Sequence, residues 1–387
     1  MKTIAFFFAA SALLSGAKVE TITRLDGSKI SQAEASVFAK KTLQEAHVTG
    51  AQIAVLDHGK LVWSAAFGLR SLNPDLPMTT DTNTWGASLT KSVFATYVMQ
   101  LVERGEFSLD TPVAQQLPQP LDSYEPYRDS ASELVHDPAW PTVTPRMLLA
   151  HAGGLLNFAT IEPDKKMHLH SRPGTQFWYS GEGINLVQFL IEQQKKRPID
   201  ELLHDAFFGP LGMKQTGLIY RPAFAANVAD RFDAGEHFRS QTKRFPAHAA
   251  GSMSTSVADL ARFTSALLSG KLLQPPAFRQ MLTPYIKINT LHQFPLKLDE
   301  PEGEEGKRVG LAYGVGWGLL TNTRFGPAFF KEGHGDGAQN YLICFERRKA
   351  CMIILTNSDN GENAFKPLLE TILGDTVTPW EWERYPH

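Results

Sequence analysis

The chain has 387 residues, 43% hydrophobic and 20% charged, a globular composition that excludes a low-complexity or disordered polymer and suits one large or two medium domains. Its 38 Lys and Arg against 40 Asp and Glu give a formal net charge of −2, with no basic stripe of the kind that grips nucleic acid or an anionic membrane. The expected partner is a small molecule or a peptide, and two cysteines exclude a disulfide scaffold.

The first element reads as an export signal. Lys2 precedes an apolar run from Ile4 to Leu14, and Ser15-Gly16-Ala17 supplies the small residues a signal peptidase needs, so cleavage is expected after Ala17. The alternative, a retained anchor, asks the run to span a bilayer, for which it is too short. Residues 1–17 contain Lys2 and no acid, which leaves the mature chain, 18–387, at −3. No later segment reads as transmembrane, so a periplasmic or secreted protein, off the membrane once cleaved, is expected.

A hairpin follows, with strands at Ile53 to Leu56 and Leu61 to Phe67 around the turn Asp57-His58-Gly59-Lys60. Next comes Ser88-Leu89-Thr90-Lys91, in which a hydroxyl and an ammonium three residues apart share one helical face. Phe94, Tyr97, Val98 and Leu101 continue the helix, Arg104 sits near its end and Gly105 stops it. Ser88 falls in the first turn, where unpaired amides and the helix dipole favour developing negative charge. Burial of Lys91 lowers its proton affinity and makes a neutral amine accessible as a base for Ser88. Alone, however, Ser-x-x-Lys is too short to identify chemistry, because an ordinary helix start with a solvated lysine has the same pattern.

Seven prolines between Pro112 and Pro145 suggest long loops. Helices are expected at Pro145 to Leu149, Gly183 to Gln194, Ile199 to Phe207 and Val257 to Leu268, with strands returning at Val315 to Leu320 and Leu342 to Leu355. Asp299 to Lys307 reads as an exposed acidic loop. The sheet is thus assembled from both chain ends, about 18–108 and 246–387, around a helical insertion at about 109–245, with a cleft at the junction. A two-residue turn at Arg347-Arg348 sets Cys344 opposite Cys351. Export permits a disulfide there, but adjacent antiparallel strands rarely offer its geometry, and two unpaired apolar thiols are the expectation.

Two further segments carry chemistry. Tyr179, in Tyr179-Ser180-Gly181-Glu182-Gly183, sits on a loop at a helix start, where a phenol beside a lysine ionises more easily and relays a proton to a leaving group; by itself it reads as a packed core edge. Lys331-Glu332-Gly333-His334-Gly335-Asp336-Gly337 is glycine-rich enough to let a ligand reach backbone amides, or to be a tight hairpin with solvated His334 and Asp336.

These three segments, in this order and with Tyr179 about ninety residues after Ser88, resemble the penicillin-recognising serine hydrolases: class C β-lactamases, DD-peptidases, D-aminopeptidases and family VIII esterases. The landmarks Leu148-Leu149-Ala150-His151-Ala152-Gly153-Gly154-Leu155, Tyr313-Gly314-Val315-Gly316-Trp317-Gly318 and Leu355-Thr356-Asn357-Ser358-Asp359-Asn360-Gly361 resemble that family too, so the likeness covers roughly residues 30 to 375. It implies an α/β fold: a β-lactamase-like antiparallel sheet sandwiched by helices, with an inserted mostly helical lobe. It implies an acyl-enzyme on Ser88, general-base and general-acid work shared by Lys91 and Tyr179, and an oxyanion hole from the Ser88 and Gly337 amides. No cofactor or metal is implied.

Two departures bear on substrate. Gly181 stands where Tyr-x-Asn members carry a side-chain amide, and the last box is read as His334-Gly335-Asp336 in place of Lys-Thr-Gly. Efficient penicillin hydrolysis is therefore not expected, and if Asp336 lines the site it disfavours anions and favours an amine. An esterase or D-amino-acid peptidase is the leading reading; a β-lactamase and a sensor that acylates without turnover are the alternatives. His151-Ala152-Gly153-Gly154 is similar to a lipase oxyanion loop, but no Gly-x-Ser-x-Gly accompanies it. His168-Leu169-His170 lacks the companions of a zinc site, and the aromatic tail Trp380, Trp382 and Tyr385 is expected to dock onto the body.

Overall fold

The computed structural model describes residues 20–294 and 301–383. The expected signal, Asp299 and Tyr385 lie outside these residues. Nine strands form one sheet with every neighbouring pair antiparallel. From edge to edge they are Ile286–Lys287, Leu311–Tyr313, Gly318–Leu320, Ala328–Gly335, Ala338–Phe345, Ala350–Thr356, Gly50–Asp57, Lys60–Leu72 and Asp75–Pro77. The C-terminal strand Ala350–Thr356 pairs with the N-terminal strand Gly50–Asp57, so both chain ends do build the sheet.

Both faces of the central strands are buried. Ala54, Leu56, Leu342, Cys344, Cys351, Ile353 and Leu355 join one apolar cluster, while the alternating Ile53, Val55, Tyr341, Ile343, Met352 and Ile354 join another. The first cluster packs beneath the helices Leu89–Glu103 and Val257–Leu268 and runs into the helical lobe; the second lies against Gln32–Glu45 and Glu362–Leu368. This three-layer α/β sandwich has the fold expected from the sequence.

Several local expectations hold closely. Asp57 pairs with Lys60, leaving His58 (φ 49°) and Gly59 (φ 72°) as the two-residue turn that the twist of a hairpin favours. Helices at Pro145–Leu149 and Val257–Leu268 fall where the pattern puts them. Others change. The proline-rich stretch holds a short helix, Val113–Gln116, and single 3-10 turns, including Glu125–Tyr127 and Trp140–Thr142, that bury Tyr127 and Trp140; proline in a first helical turn needs no N–H. Glu304–Val309 is a short helix, not an exposed loop: Gly306 and Val309 are buried and Gly310 (φ 63°) ends it.

Cys344 lies opposite Cys351 as the turn requires, but the two form a disulfide in place of the expected thiols. Their Cα atoms are 4.1 Å apart, the close approach of a cross-strand pair without backbone hydrogen bonds. Trp380 and Trp382 do fold back: Trp382 is buried against Phe177 and Phe330, and its Nε1 donates to Thr290 Oγ1 at 3.2 Å. Among the described residues no helix is long and apolar enough to cross a membrane.

Candidate active site

The helix Leu89–Glu103 buries Phe94, Tyr97, Val98 and Leu101 and ends at Arg104 before Gly105 (φ 69°). It is clamped to the sheet through Gly316, whose carbonyl accepts from Ser92 Oγ at 2.7 Å; a Cβ at Gly316 (φ 76°) would lie 2.2 Å from Ala95 Cβ. Ser88 stands at the helix start with helical dihedrals and makes no side-chain capping bond, so its oxygen is left for chemistry. The preceding Ala87 is held at φ 46°, a strained setting for a residue with a Cβ, and its carbonyl accepts from Thr90 N at 3.1 Å and Thr90 Oγ1 at 2.5 Å. The Ser88 N–H donates to no group among the described residues.

Lys91 is 1% exposed. Its Nζ donates to Ser88 Oγ at 2.9 Å and to Ala250 O at 2.5 Å. Among the described residues no carboxylate forms an ion pair with it. Burial, and next the charge of Lys331, hold its pKa well below the ordinary lysine value, which makes the neutral amine the accessible form. Lys331 is also buried, yet it is ion-paired with Glu332, so of the two lysines Lys91 is the one free to act as a base.

Tyr179 faces both lysines. Its hydroxyl accepts from Lys331 Nζ at 3.0 Å, and its ring lies 5.0 Å from Lys91 Nζ. A lysine beside the phenol was expected to ease its ionisation. Burial wins instead, with the charge of Glu332 adding to it, and pushes the phenol well above its ordinary value. Tyr179 is therefore an acid. His151 stacks on its ring at 4.3 Å between centroids; His151 is itself neutral through burial, and its Nδ1 accepts from Ser180 N at 3.1 Å, which leaves the ring proton on Nε2. Tyr179→Phe keeps this stack and removes the proton donor. It is expected to lower kcat by roughly 10²- to 10³-fold with the melting temperature nearly unchanged, as steady-state kinetics beside thermal unfolding will report.

Of the third box, the structure keeps His334 at the cavity and takes Gly335, Asp336 and Gly337 away from it. The lysine that reaches Tyr179 belongs to Lys331-Glu332-Gly333, which itself fits Lys-x-Gly, and not to the segment starting at His334. Strand Ala328–Gly335 ends in a tight turn, Gly335 pairing with Ala338, so Asp336 and Gly337 are at its tip. The Gly337 amide donates to Asp359 Oδ1 at 2.5 Å and is committed there, not to an oxyanion. The Asp336 carbonyl accepts from Arg231, and neither Gly335 nor Asp336 lines the cavity at Ser88. His334 does line it, with Nδ1 2.8 Å from Glu362 Oε1.

That cavity, about 590 Å³, brings Ser88, Lys91 and Tyr179 together with residues the sequence did not single out: Trp85, Asn157, Phe158, Asn185, Arg244 and Phe294. Asn157 explains the missing amide of the Tyr box. Its Oδ1 accepts from Gly181 N at 2.8 Å, and Phe158 occupies the space of a side chain at 181, where a Cβ would lie 2.6 Å from the ring. Restoring the family residue as Gly181→Asn is expected to destabilise the protein by about 1–3 kcal/mol through overpacking, read as a lower denaturation midpoint, without conferring penicillin hydrolysis. His168 pairs with Asp164 and His170 with Glu162, two separate contacts.

A serine and lysine at one helix start, facing a tyrosine and a second lysine across a cleft beside an antiparallel sheet, are the arrangement of the β-lactamase-like class of proteins. The sequence model of the Beta-lactamase family matches residues 36–373, and the chain belongs to that family. It is similar to "Esterase EstB" of Burkholderia gladioli, 27% identical over 231 residues, covering 51% of this chain and 56% of that protein. It is also similar to "Penicillin-binding protein 4" of Amycolatopsis lactamdurans, 29% identical over 198 residues, 48% of this chain and 49% of that one. The chain thus spans about half the length of the curated relatives it matches. In fold it resembles the octameric penicillin-binding protein homologue from Pyrococcus abyssi, with a TM-score of 0.69 at 22% identity over 88% of this chain and 79% of that one.

Proposed function

We propose that this chain is an exported hydrolase that cleaves an ester, or an activated amide, through an acyl-enzyme on Ser88. The observation that carries the reading is Lys91: buried, without a carboxylate partner among the described residues, and 2.9 Å from Ser88 Oγ. As a neutral amine it takes the Ser88 proton while Oγ attacks the substrate carbonyl. The Ser88 N–H, at the helix start, faces the resulting oxyanion. Tyr179 gives its proton to the leaving group and is reset by the proton on Lys91. Water then adds to the acyl carbonyl, passes a proton to the same base, and Ser88 Oγ leaves and is reprotonated.

An ester is favoured because Gly181 carries no side-chain amide for a substrate amide to bind, and because one relative is named an esterase. A D-amino-acid peptidase is the second reading, favoured by Asn157, which lines the cavity and, with its Oδ1 taken by Gly181, keeps its side-chain nitrogen for a substrate carbonyl. The test is a panel of short-chain 4-nitrophenyl esters, a D-Ala-D-Ala peptide and a chromogenic cephalosporin. Steady ester turnover with little cephalosporin hydrolysis is the expected result; a burst without turnover on every substrate supports a sensor and contradicts the proposal. Export through residues 1–17 belongs to the same reading and is checked by the N-terminus of the mature protein.

A further inference from the structure

Glu332 is a buried carboxylate that the reaction above leaves unused. It follows Lys331 on the strand Ala328–Gly335, and neither residue lines the cavity at Ser88. Its Oε1 accepts from Lys331 Nζ, while Oε2 is buried without a hydrogen-bond partner among the described residues. A buried ion pair with one oxygen left unsatisfied is a poor source of stability, because removing the carboxylate from water costs more than a single contact returns. Its placement points to another role. The lysine it holds is the one that reaches the Tyr179 hydroxyl, at 3.0 Å.

What Lys331 does to that hydroxyl depends on its charge. An ammonium has three donors and no acceptor, so it can only donate to the phenol oxygen, and the phenolic hydrogen stays with Tyr179. A neutral amine has a lone pair and accepts that hydrogen, which turns it away from the leaving group. Burial pushes Lys331 toward the neutral form, and Glu332 is the strongest influence opposing it. The other ionisable groups around the pair do not take over that task. Lys91 and His151 both favour their neutral forms, each in part because the charge of Lys331 is near. Tyr313, raised by burial and by Glu332, is a neutral phenol. Glu383 also favours the ammonium, but burial and the charge of Glu332 push its own carboxyl well above its ordinary value, and it accepts from the Tyr341 hydroxyl at 2.7 Å.

We infer that Glu332 is a positioning residue for the acid step: by holding Lys331 as an ammonium against Tyr179, it keeps the phenolic hydrogen on Tyr179 for the leaving group. The inference rests on the hydrolase reading above, which supplies the leaving group. Glu332 acts through Lys331 and Tyr179, so its removal should show only where a leaving group needs a proton.

The test compares ethyl butyrate, whose alkoxide must be protonated as it leaves, with 4-nitrophenyl butyrate, whose phenolate leaves without a proton. Glu332→Gln is expected to cost roughly 10- to 100-fold more in kcat/KM on the ethyl ester than on the nitrophenyl ester. That ratio does not depend on how much of the variant is folded. Added to Tyr179→Phe, the same substitution is expected to leave the ratio where Tyr179→Phe puts it, because both act through one proton. Equal losses on the two esters, or a full further loss on top of Tyr179→Phe, overturn the inference. A second readout does not depend on catalysis: NMR titration of protein labelled with ¹³C at lysine Cε, with the Lys331 and Lys91 signals assigned by their disappearance in Lys331→Met and Lys91→Met. Lys331 is expected to lose its proton at higher pH than Lys91, and Glu332→Gln to move that loss to lower pH. This pattern supports the role of Glu332 even if neither ester is hydrolysed, a result that would instead count against the hydrolase reading. Lys331 titrating below Lys91 in the unaltered protein, which needs no folded Glu332 variant, overturns the inference, as does a Lys331 titration that Glu332→Gln leaves in place.

Discussion

Ser88→Ala is expected to reduce kcat/KM on every hydrolysed substrate by at least ~10³-fold, with the fold retained. The size of the loss follows from what the hydroxyl does. Without Oγ no acyl-enzyme forms, and water must attack the substrate directly in a cavity whose base, Lys91, is placed for Oγ at 2.9 Å and not for a solvent molecule. Stability should change little, because Ser88 makes no side-chain capping bond to its helix. Kinetics on a fast ester together with a thermal melt separate the two effects. Turnover within about tenfold of wild type in a folded variant would require another nucleophile.

The second large effect is the pH dependence set by Lys91. Its pKa is held well below the ordinary lysine value by burial and by Lys331, and the active form is the deprotonated amine. Activity must therefore rise as pH increases through that lowered pKa and fall as pH drops below it. Tyr179, raised by burial, remains a protonated acid across the same range. Lys91→Met is expected to lower kcat/KM by roughly 10²- to 10⁴-fold and to remove this acidic limb; a limb that persists in the variant would assign the titration to another group. Linkage gives a second sign. The unfolded chain binds a proton at Lys91 up to its ordinary pKa of about 10.4, whereas the folded chain releases it earlier. In the window between the two values the unfolded state carries more protons, so Lys91 makes stability rise with pH there, and Lys91→Met removes that contribution.

How far the sequence reveals this site depends on how local each feature is. Ser88 and Lys91 meet because of helical spacing, a property of four consecutive residues, and the pattern of Phe94, Tyr97, Val98 and Leu101 is enough to place that helix. Tyr179 arrives through the family pattern. The third box is harder, because Lys331-Glu332-Gly333 and His334-Gly335-Asp336 both begin with a basic residue, and choosing between them requires knowing where the hairpin turns. Pairing of Gly335 with Ala338 puts Asp336 and Gly337 at the hairpin tip, while Lys331 reaches Tyr179 and His334 lines the cavity. The rest is non-local. His151 beneath Tyr179, Asn157 on the Gly181 amide and Arg244 on Trp85 come from loops whose convergence is settled by packing of the helical lobe against the sheet. The disulfide turned on the close approach of two strands, and the direction of the Tyr179 shift turned on burial and on the charge of Glu332, which residue order does not resolve.

The mechanism stands on a covalent intermediate at Ser88, which a trapping reagent makes visible. A 4-nitrophenyl phosphonate ester, whose adduct water does not readily release, is incubated with the protein, and intact mass, peptide mapping and residual activity are followed together. One phosphonyl group on the peptide containing Ser88, gained in step with the loss of activity and absent from Ser88→Ala, is the predicted result. Inactivation with the label elsewhere, or an unlabelled Ser88 in fully inhibited protein, would contradict the mechanism.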